Sequence, residues 1–140
     1  VIEIDEIEAS LPRRLRAIAD RPVSERPDQV ALIDDDSLTY RDLDRHVRDI
    51  ASDLAALGVR AGDSMMVASE NCIALAGLLI AAIRLDAAAI VVNPQLSARK
   101  IDQIREHSVA RRMFFSAAFS REASAHASCF GAEIRKIGPL

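Results

Sequence analysis

Four strand-like runs, at residues 65–68, 87–92, 112–115 and 133–137, follow one another at intervals of roughly 20 residues or slightly more, and each gap holds a helix-patterned segment. That alternation is how right-handed βαβ units build a parallel sheet. The segment 72–85 reads as a helix, with an uninterrupted apolar run from Cys72 to Ile83 ended by Arg84 and Asp86. It reads as buried on most sides. Ser97 caps a helix carrying Ile101 and Ile104, and residues 120–128 form a small Ala-rich helix. The run 87–92 is continuously apolar, which suits a sheet covered on both faces. The expected fold is therefore α/β: a parallel sheet of about four strands with helices on both faces.

A different pattern precedes the sheet. Residues 3–20 read as a helix with Leu11, Leu15 and Ile18 on one face, and residues 21–27, with two prolines, as a loop. The runs 30–33 and 37–39 flank Asp34-Asp35-Asp36 and fit a small β-hairpin. Thr39 then caps a helix from about Tyr40 to Leu57, and Asp42 completes a capping-box-like pair. Leu43, Val47, Ile50, Ala51, Leu54 and Leu57 form its apolar face; Arg41, Asp44, Arg45, Arg48, Asp49 and Asp53 form its wet side. Gly58 follows as the residue that ends the helix in a left-handed conformation. The expected organisation is one domain over residues 1–140, with residues 1–25 as helix and linker and 26–40 as the hairpin.

Composition narrows function by exclusion. The 140 residues carry a net charge of −3 and only 4% aromatic residues, without tryptophan. No basic field or set of stacking rings serves nucleic acid, and Arg111-Arg112 is too short for a basic patch. The longest apolar run falls short of the roughly 20 residues a bilayer span needs. Two cysteines, Cys72 and Cys129, make neither a disulfide framework nor a four-cysteine zinc site. With no evident signal peptide, the expected compartment is the reducing cytoplasm. Residue 1 is Val rather than Met, which reads as part of a longer chain.

A parallel α/β sheet binds ligands at the carboxyl ends of its strands. Those ends hold Ser69-Glu70-Asn71, Asn93-Pro94-Gln95, Ser116-Ala117-Ala118 and Gly138-Pro139. The five glycines, at 58, 62, 77, 131 and 138, make no Walker or dinucleotide pattern, and there is no Gly-x-Ser-x-Gly elbow. Asn71 and Asn93 are the best polar contact candidates, but a helix cap and a turn before Pro94 explain them more simply. Ser116 and Ser120 have no adjacent base and read as a turn or cap. His126-x-x-Cys129 lacks a second ligand pair, His46 and His107 fall on polar helix faces, and Met65-Met66 reads as half core strand. No catalytic or metal-binding residue is expected.

The order of motifs carries a resemblance. Arg26-Pro27-Asp28 with Ala31-Leu32, then residues 38–43 reading Leu-Thr-Tyr-Arg-Asp-Leu, are followed by Leu57-Gly58-Val59 with Gly62-Asp63. Next come Glu70-Asn71, Arg84-Leu85-Asp86-Ala87 and Asn93-Pro94 with Leu96-Ser97. Over roughly residues 8–137 this resembles the amino-terminal end of adenylate-forming enzymes: acyl- and aryl-CoA synthetases, peptide-synthetase adenylation domains and luciferases. The resemblance implies a parent that activates a carboxylate with ATP and Mg²⁺ and passes it to a thiol, usually CoA. The Asn93-Pro94 form looks more like the CoA ligases. The family's phosphate loop and its adenine, ribose and catalytic-lysine motifs would lie after Leu140, so the chain's partner would be the remainder of the enzyme. Asp86 stands where a Gly is common. Gln95 stands where some aryl-CoA ligases carry an Arg that meets a CoA phosphate; a neutral Gln lacks that charge, leaving Gln95 a weak candidate beside the CoA path.

Two other readings compete. Residues 31–36 resemble the first strand and acidic pocket of a response-regulator receiver, with Ser116 and Lys136 near its remaining positions, but Asn93 cannot form the aspartyl phosphate. A non-catalytic module is the other: apolar surface near residues 72–83 would make it a homo-oligomer.

Overall fold

The computed structural model describes residues 20–34, 37–133 and 136–137. Residues 20–25 are helical, so of the loop that two prolines announce at 21–27 the stretch 21–25 is helix instead. Pro22 lacks a donor, but its carbonyl accepts from the Arg26 N–H at 2.8 Å, and Arg21 pairs with Glu25 one turn on. Of the helix expected at 3–20, all but Asp20 lies outside the described residues, as do Asp35 and Asp36.

Strands β1 (Val30–Ile33) and β2 (Ser37–Thr39) pair antiparallel as the expected hairpin, with a register shift between Val30 and Leu32. The chain passes directly into helix α1 (Tyr40–Ala56). Thr39 caps it: its Oγ1 accepts from the Asp42 N–H at 3.1 Å and donates to Asp42 Oδ2 at 2.7 Å. That hydrogen bond outweighs desolvation and holds the Asp42 carboxyl below its ordinary pKa, and Arg45 adds to the effect. The helix closes in a Schellman pair, Val59 N–H to Leu54 O and Gly58 N–H to Ala55 O, with Gly58 at φ +87°.

Three parallel strands follow, β3 (Ser64–Ala68), β4 (Ala88–Val92) and β5 (Arg112–Phe115), in the order β4-β3-β5. Register is unbroken, Met66 opposite Ile90 on one side and Met113 on the other. The connections are α2 (Ile73–Arg84) and α3 (Ala98–Ser108), and α4 (Arg121–Cys129) follows β5. The fourth expected strand, 133–137, includes residues 134 and 135, which lie outside the described set.

The period-two pleat of β3 divides the interior. Met65 and Val67 face one core with Leu43, Val47, Ile50 and Leu54 of α1 and Leu75, Ala81 and Ala82 of α2. Met66 and Ala68 face the other with Val92 and Ile101, flanked by Ile104 and Phe130. Helices therefore cover both faces. Met65 and Met66 are both fully buried, so the pair is all core rather than half.

Cover is uneven away from β3. Strand β4 is apolar throughout, yet it is an edge of this sheet and Val91 is 45% exposed. On α2, Leu75, Gly77, Ala81 and Ala82 are buried and the remaining residues are half-buried, none of them exposed, in keeping with the burial on most sides that its apolar run announces. Among the described residues no helix is long and apolar enough to cross a membrane.

Candidate functional site

The ends of β3, β4 and β5 bring Ser69-Glu70-Asn71, Asn93-Pro94-Gln95 and Ser116-Ala117-Ala118 to one edge of the sheet. Two of these loops begin as extensions of the ladder. Ser69 N–H donates to Val92 O at 3.3 Å and Ser116 N–H to Ala68 O at 3.1 Å. The buried Ser69 hydroxyl donates to Glu70 O at 2.8 Å and lies 3.8 Å from Cys72 Sγ. Cys72, without a side-chain capping bond, is the residue that starts α2; the capping role expected of Asn71 is therefore not filled by it, and Asn71 is exposed.

Asn93 forms the expected turn. Its Oδ1 accepts from the Gln95 N–H at 2.8 Å and its carbonyl from the Leu96 N–H at 3.1 Å. Pro94 is buried between them, and Gln95 is exposed with no side-chain hydrogen bond among the described residues. Ser97 caps α3 through the Lys100 N–H, as its position predicts.

Helix α4 binds these loops together. Ser120, its cap, accepts from the Ala123 N–H and donates to Glu70 Oε1 at 3.2 Å. His126 Nε2 donates to Pro94 O at 2.9 Å. Both links join residues far apart in sequence, and no local pattern points to either. His46, expected on a wet face, has a buried Nδ1 with no partner among the described residues. Phe119, at this edge, is 56% exposed. Among the described residues no group of three His, Cys, Asp or Glu is placed to hold a metal ion.

A polar depression forms elsewhere, lined by Asp20, Asp44, Arg48 and Arg84. Helix α2 runs back from the carboxyl edge, so Arg84, at its far end, stands at the opposite edge. Asp44, expected on the wet side of α1, is buried: Arg84 Nη2 lies 2.5 Å from its Oδ1 and Arg48 binds its Oδ2. Burial raises the Asp44 pKa, but hydrogen bonds from Arg84 and Arg48, with their charges, outweigh it and hold the carboxyl below its ordinary range. Arg84 also reaches Asp20 at 3.1 Å. The depression is thus an ionic joint filled by its own countercharges.

Asp34, the one residue of the acidic run that is described, is not placed as a receiver's acidic pocket requires. The strand before Asp34 belongs to the antiparallel hairpin, so its end is not on the carboxyl edge of the parallel sheet.

Comparison with known proteins agrees with this geometry. The family profile described as AMP-binding enzyme matches residues 19–137. The N-terminal subdomain of NpsA from Klebsiella oxytoca, solved with 3-hydroxybenzoyl-AMSN, superposes with a TM-score of 0.67 at 27% identity, covering 70% of this chain and 25% of that one. The N-terminal domain of FACL13 from Mycobacterium tuberculosis, inhibitor bound, has a TM-score of 0.75 at 19% identity, covering 88% and 31%. A naringenin synthase from Pestalotiopsis fici is 30% identical over 75 residues, which are 54% of this chain and 3% of that protein. The chain thus spans less than a third of each protein named.

Proposed function

Because this chain belongs to the AMP-binding enzyme family and carries the N-terminal fold of its adenylate-forming members, we propose that it is the scaffold of an AMP-forming acid–thiol ligase. In the proposed reaction a carboxylate oxygen attacks the α-phosphorus of ATP and releases pyrophosphate. A thiol sulfur then attacks the acyl carbon and AMP leaves. The described residues do not fit ATP or Mg²⁺: no metal-holding group is assembled among them, and the loops described after β3, β4 and β5 contain no glycine to cradle a phosphate. No step is therefore routed through them. Their part is to hold a sheet layer rigid so that the remainder of the enzyme can pack on it.

One observation carries this reading. The polar groups at the carboxyl edge are mostly engaged with one another: Ser69 with Glu70, Ser120 with Glu70, Asn93 with Gln95, and His126 with Pro94. Such groups brace loops and are not poised for proton transfer. Pyrophosphate exchange with ATP and a panel of carboxylic acids tests it: the purified chain should give none, and exchange with any acid overturns the scaffold role.

Coenzyme A is the thiol in this proposal, on the strength of the Asn93-Pro94 form. The turn bond from Gln95 needs only a side-chain oxygen at residue 93, which Asp would also supply, so a carrier-protein thiol is the competing acceptor. A reducing, cytoplasmic setting belongs to the same proposal and suits two free thiols, Cys72 and Cys129. Self-association is a second reading, favoured by exposed Ile33, Val91 and Phe119. Light scattering across concentration tests it, and a concentration-independent monomer counts against it.

A further inference from the structure

Strand β4 is an edge of the parallel sheet, and its hydrogen bonds show which backbone groups that edge leaves free. In a parallel ladder the N–H and C=O of one residue point to the same side, and successive residues alternate. Ala88 N–H donates to Asp63 O at 2.8 Å, and Val92 O accepts from Ser69 N–H at 3.3 Å. Ala88, Ile90 and Val92 therefore turn their backbone groups toward β3, in line with the unbroken register. Ala89 and Val91 turn theirs outward, where neither meets a hydrogen-bond partner among the described residues. The free edge thus offers the donors and acceptors of both residues to an incoming strand.

Sheet edges are ordinarily guarded by a charge, a proline or a bulge. Strand β4, Ala-Ala-Ile-Val-Val, has none of these along its length. Ala88 and Val91 are exposed on its opposite faces. A second copy of the same strand fits this edge. Set antiparallel about a two-fold axis at Ile90, Ala89 of one copy faces Val91 of the other, and the two exchange hydrogen bonds. Every free backbone group of both residues is then used. Ile90 meets its own counterpart and Ala88 meets Val92, so each cross-strand pair is apolar. Charge selects the direction. Parallel pairing would set Asp86 beside Asp86 of the other copy, whereas antiparallel pairing turns it toward the uncharged Asn93-Pro94 turn.

We propose that the β4 edges of two copies of this chain pair antiparallel about Ile90, joining their three-stranded sheets into one continuous sheet. This rests on the self-association reading and names its surface; exposed Ile33 and Phe119 lie outside it.

Sedimentation equilibrium of the full 140-residue chain across concentration tests it first: the mean mass should rise toward twice that of one chain. A monomer at every concentration overturns both the pairing and self-association. Val91→Pro removes only an outward donor, one from each copy, and should weaken association about tenfold or more. Ile33→Lys, away from the edge, should leave association unchanged. Where Val91→Pro fails to fold, Val91→Lys, which keeps the backbone donor and charges the edge, decides by the same measure. Undiminished association in the deciding variant, or equal weakening by Ile33→Lys, overturns the pairing and leaves self-association standing. Cross-linking tests the register, with Cys72→Ala and Cys129→Ser removing the free thiols. Ile90→Cys in that background should form a disulfide-linked dimer on oxidation, because Cα atoms opposed at a non-hydrogen-bonded pair stand about 4.5 Å apart. Ala88→Cys should not, because its own copy lies about 13 Å along the partner strand. Any other pattern overturns the register about Ile90.

Discussion

At the scale of single residues, Asp44 is where charge and burial meet. Its side chain is 8% exposed and joins α1 to α2 through Arg84. Replacing it with Asn leaves Arg84 and Arg48 facing a neutral amide, which should cost about 2–4 kcal/mol at neutral pH, near the range for breaking a buried pair. The folded pKa lies below the ordinary value of 3.8. The carboxylate's contribution is therefore complete above that value and lost as pH falls through the folded pKa. Urea titrations at descending pH should show the native chain losing more stability below about pH 4 than Asp44→Asn; equal losses would sink the assignment. Backbone strain is a second residue-scale effect. Val109 ends α3 at φ +53° and is 76% exposed, an unfavourable setting for a β-branched side chain. Val109→Gly should raise the urea midpoint by the equivalent of about 0.5–1 kcal/mol, since relief of left-handed strain exceeds the entropy of the added glycine. Asp86, at φ +54°, shows the same geometry tolerated by a residue better suited to it.

At the scale of elements, the ends of helices are decided by neighbours in sequence, and these were legible. Thr39, Ser97 and Ser120 each cap the helix their spacing announces, and Gly58 ends α1 as expected. Gly58 has a further neighbour that no local pattern shows: a Cβ there would stand 3.0 Å from Arg112 Nη2, whereas one at Gly62 meets nothing within 4 Å. Both glycines have positive φ, so Gly58→Ala and Gly62→Ala should each cost about 1–2 kcal/mol. The guanidinium is the free end of a flexible side chain and can swing aside, so the two costs should agree within about 0.5 kcal/mol. A much larger loss for Gly58→Ala, relieved by Arg112→Ala, would show instead that the guanidinium is fixed. The stretch 21–25 is helical rather than loop because proline signals a break only where its missing donor matters, and here its carbonyl is still used.

At the scale of the whole molecule, two unequal cores share β3. Among the described residues the second holds only Met66, Ala68, Val92 and Ile101 as buried residues, so Ile101→Ala should cost about 2–5 kcal/mol and lower the urea midpoint strongly. A loss under 1 kcal/mol would mean that the site collapses around the gap. The alternation of strand and helix, the caps, the hairpin and the motif order were determined by the sequence alone, because each depends on residues within a turn or two of one another. Strand order, the edge position of β4, the burial of Asp44 and the ties from α4 to Glu70 and Pro94 were decided only by tertiary structure. These contacts join residues 32 to 50 positions apart in the cases of Pro94 with His126, Asp44 with Arg84, and Glu70 with Ser120. Periodicity marks which side of a helix is polar, but an aspartate on that side is solvated or buried according to whether another element arrives with a countercharge. That arrival is a property of the packed chain, and it is what turned an apparent wet face into a joint and a row of loop polar groups into a brace.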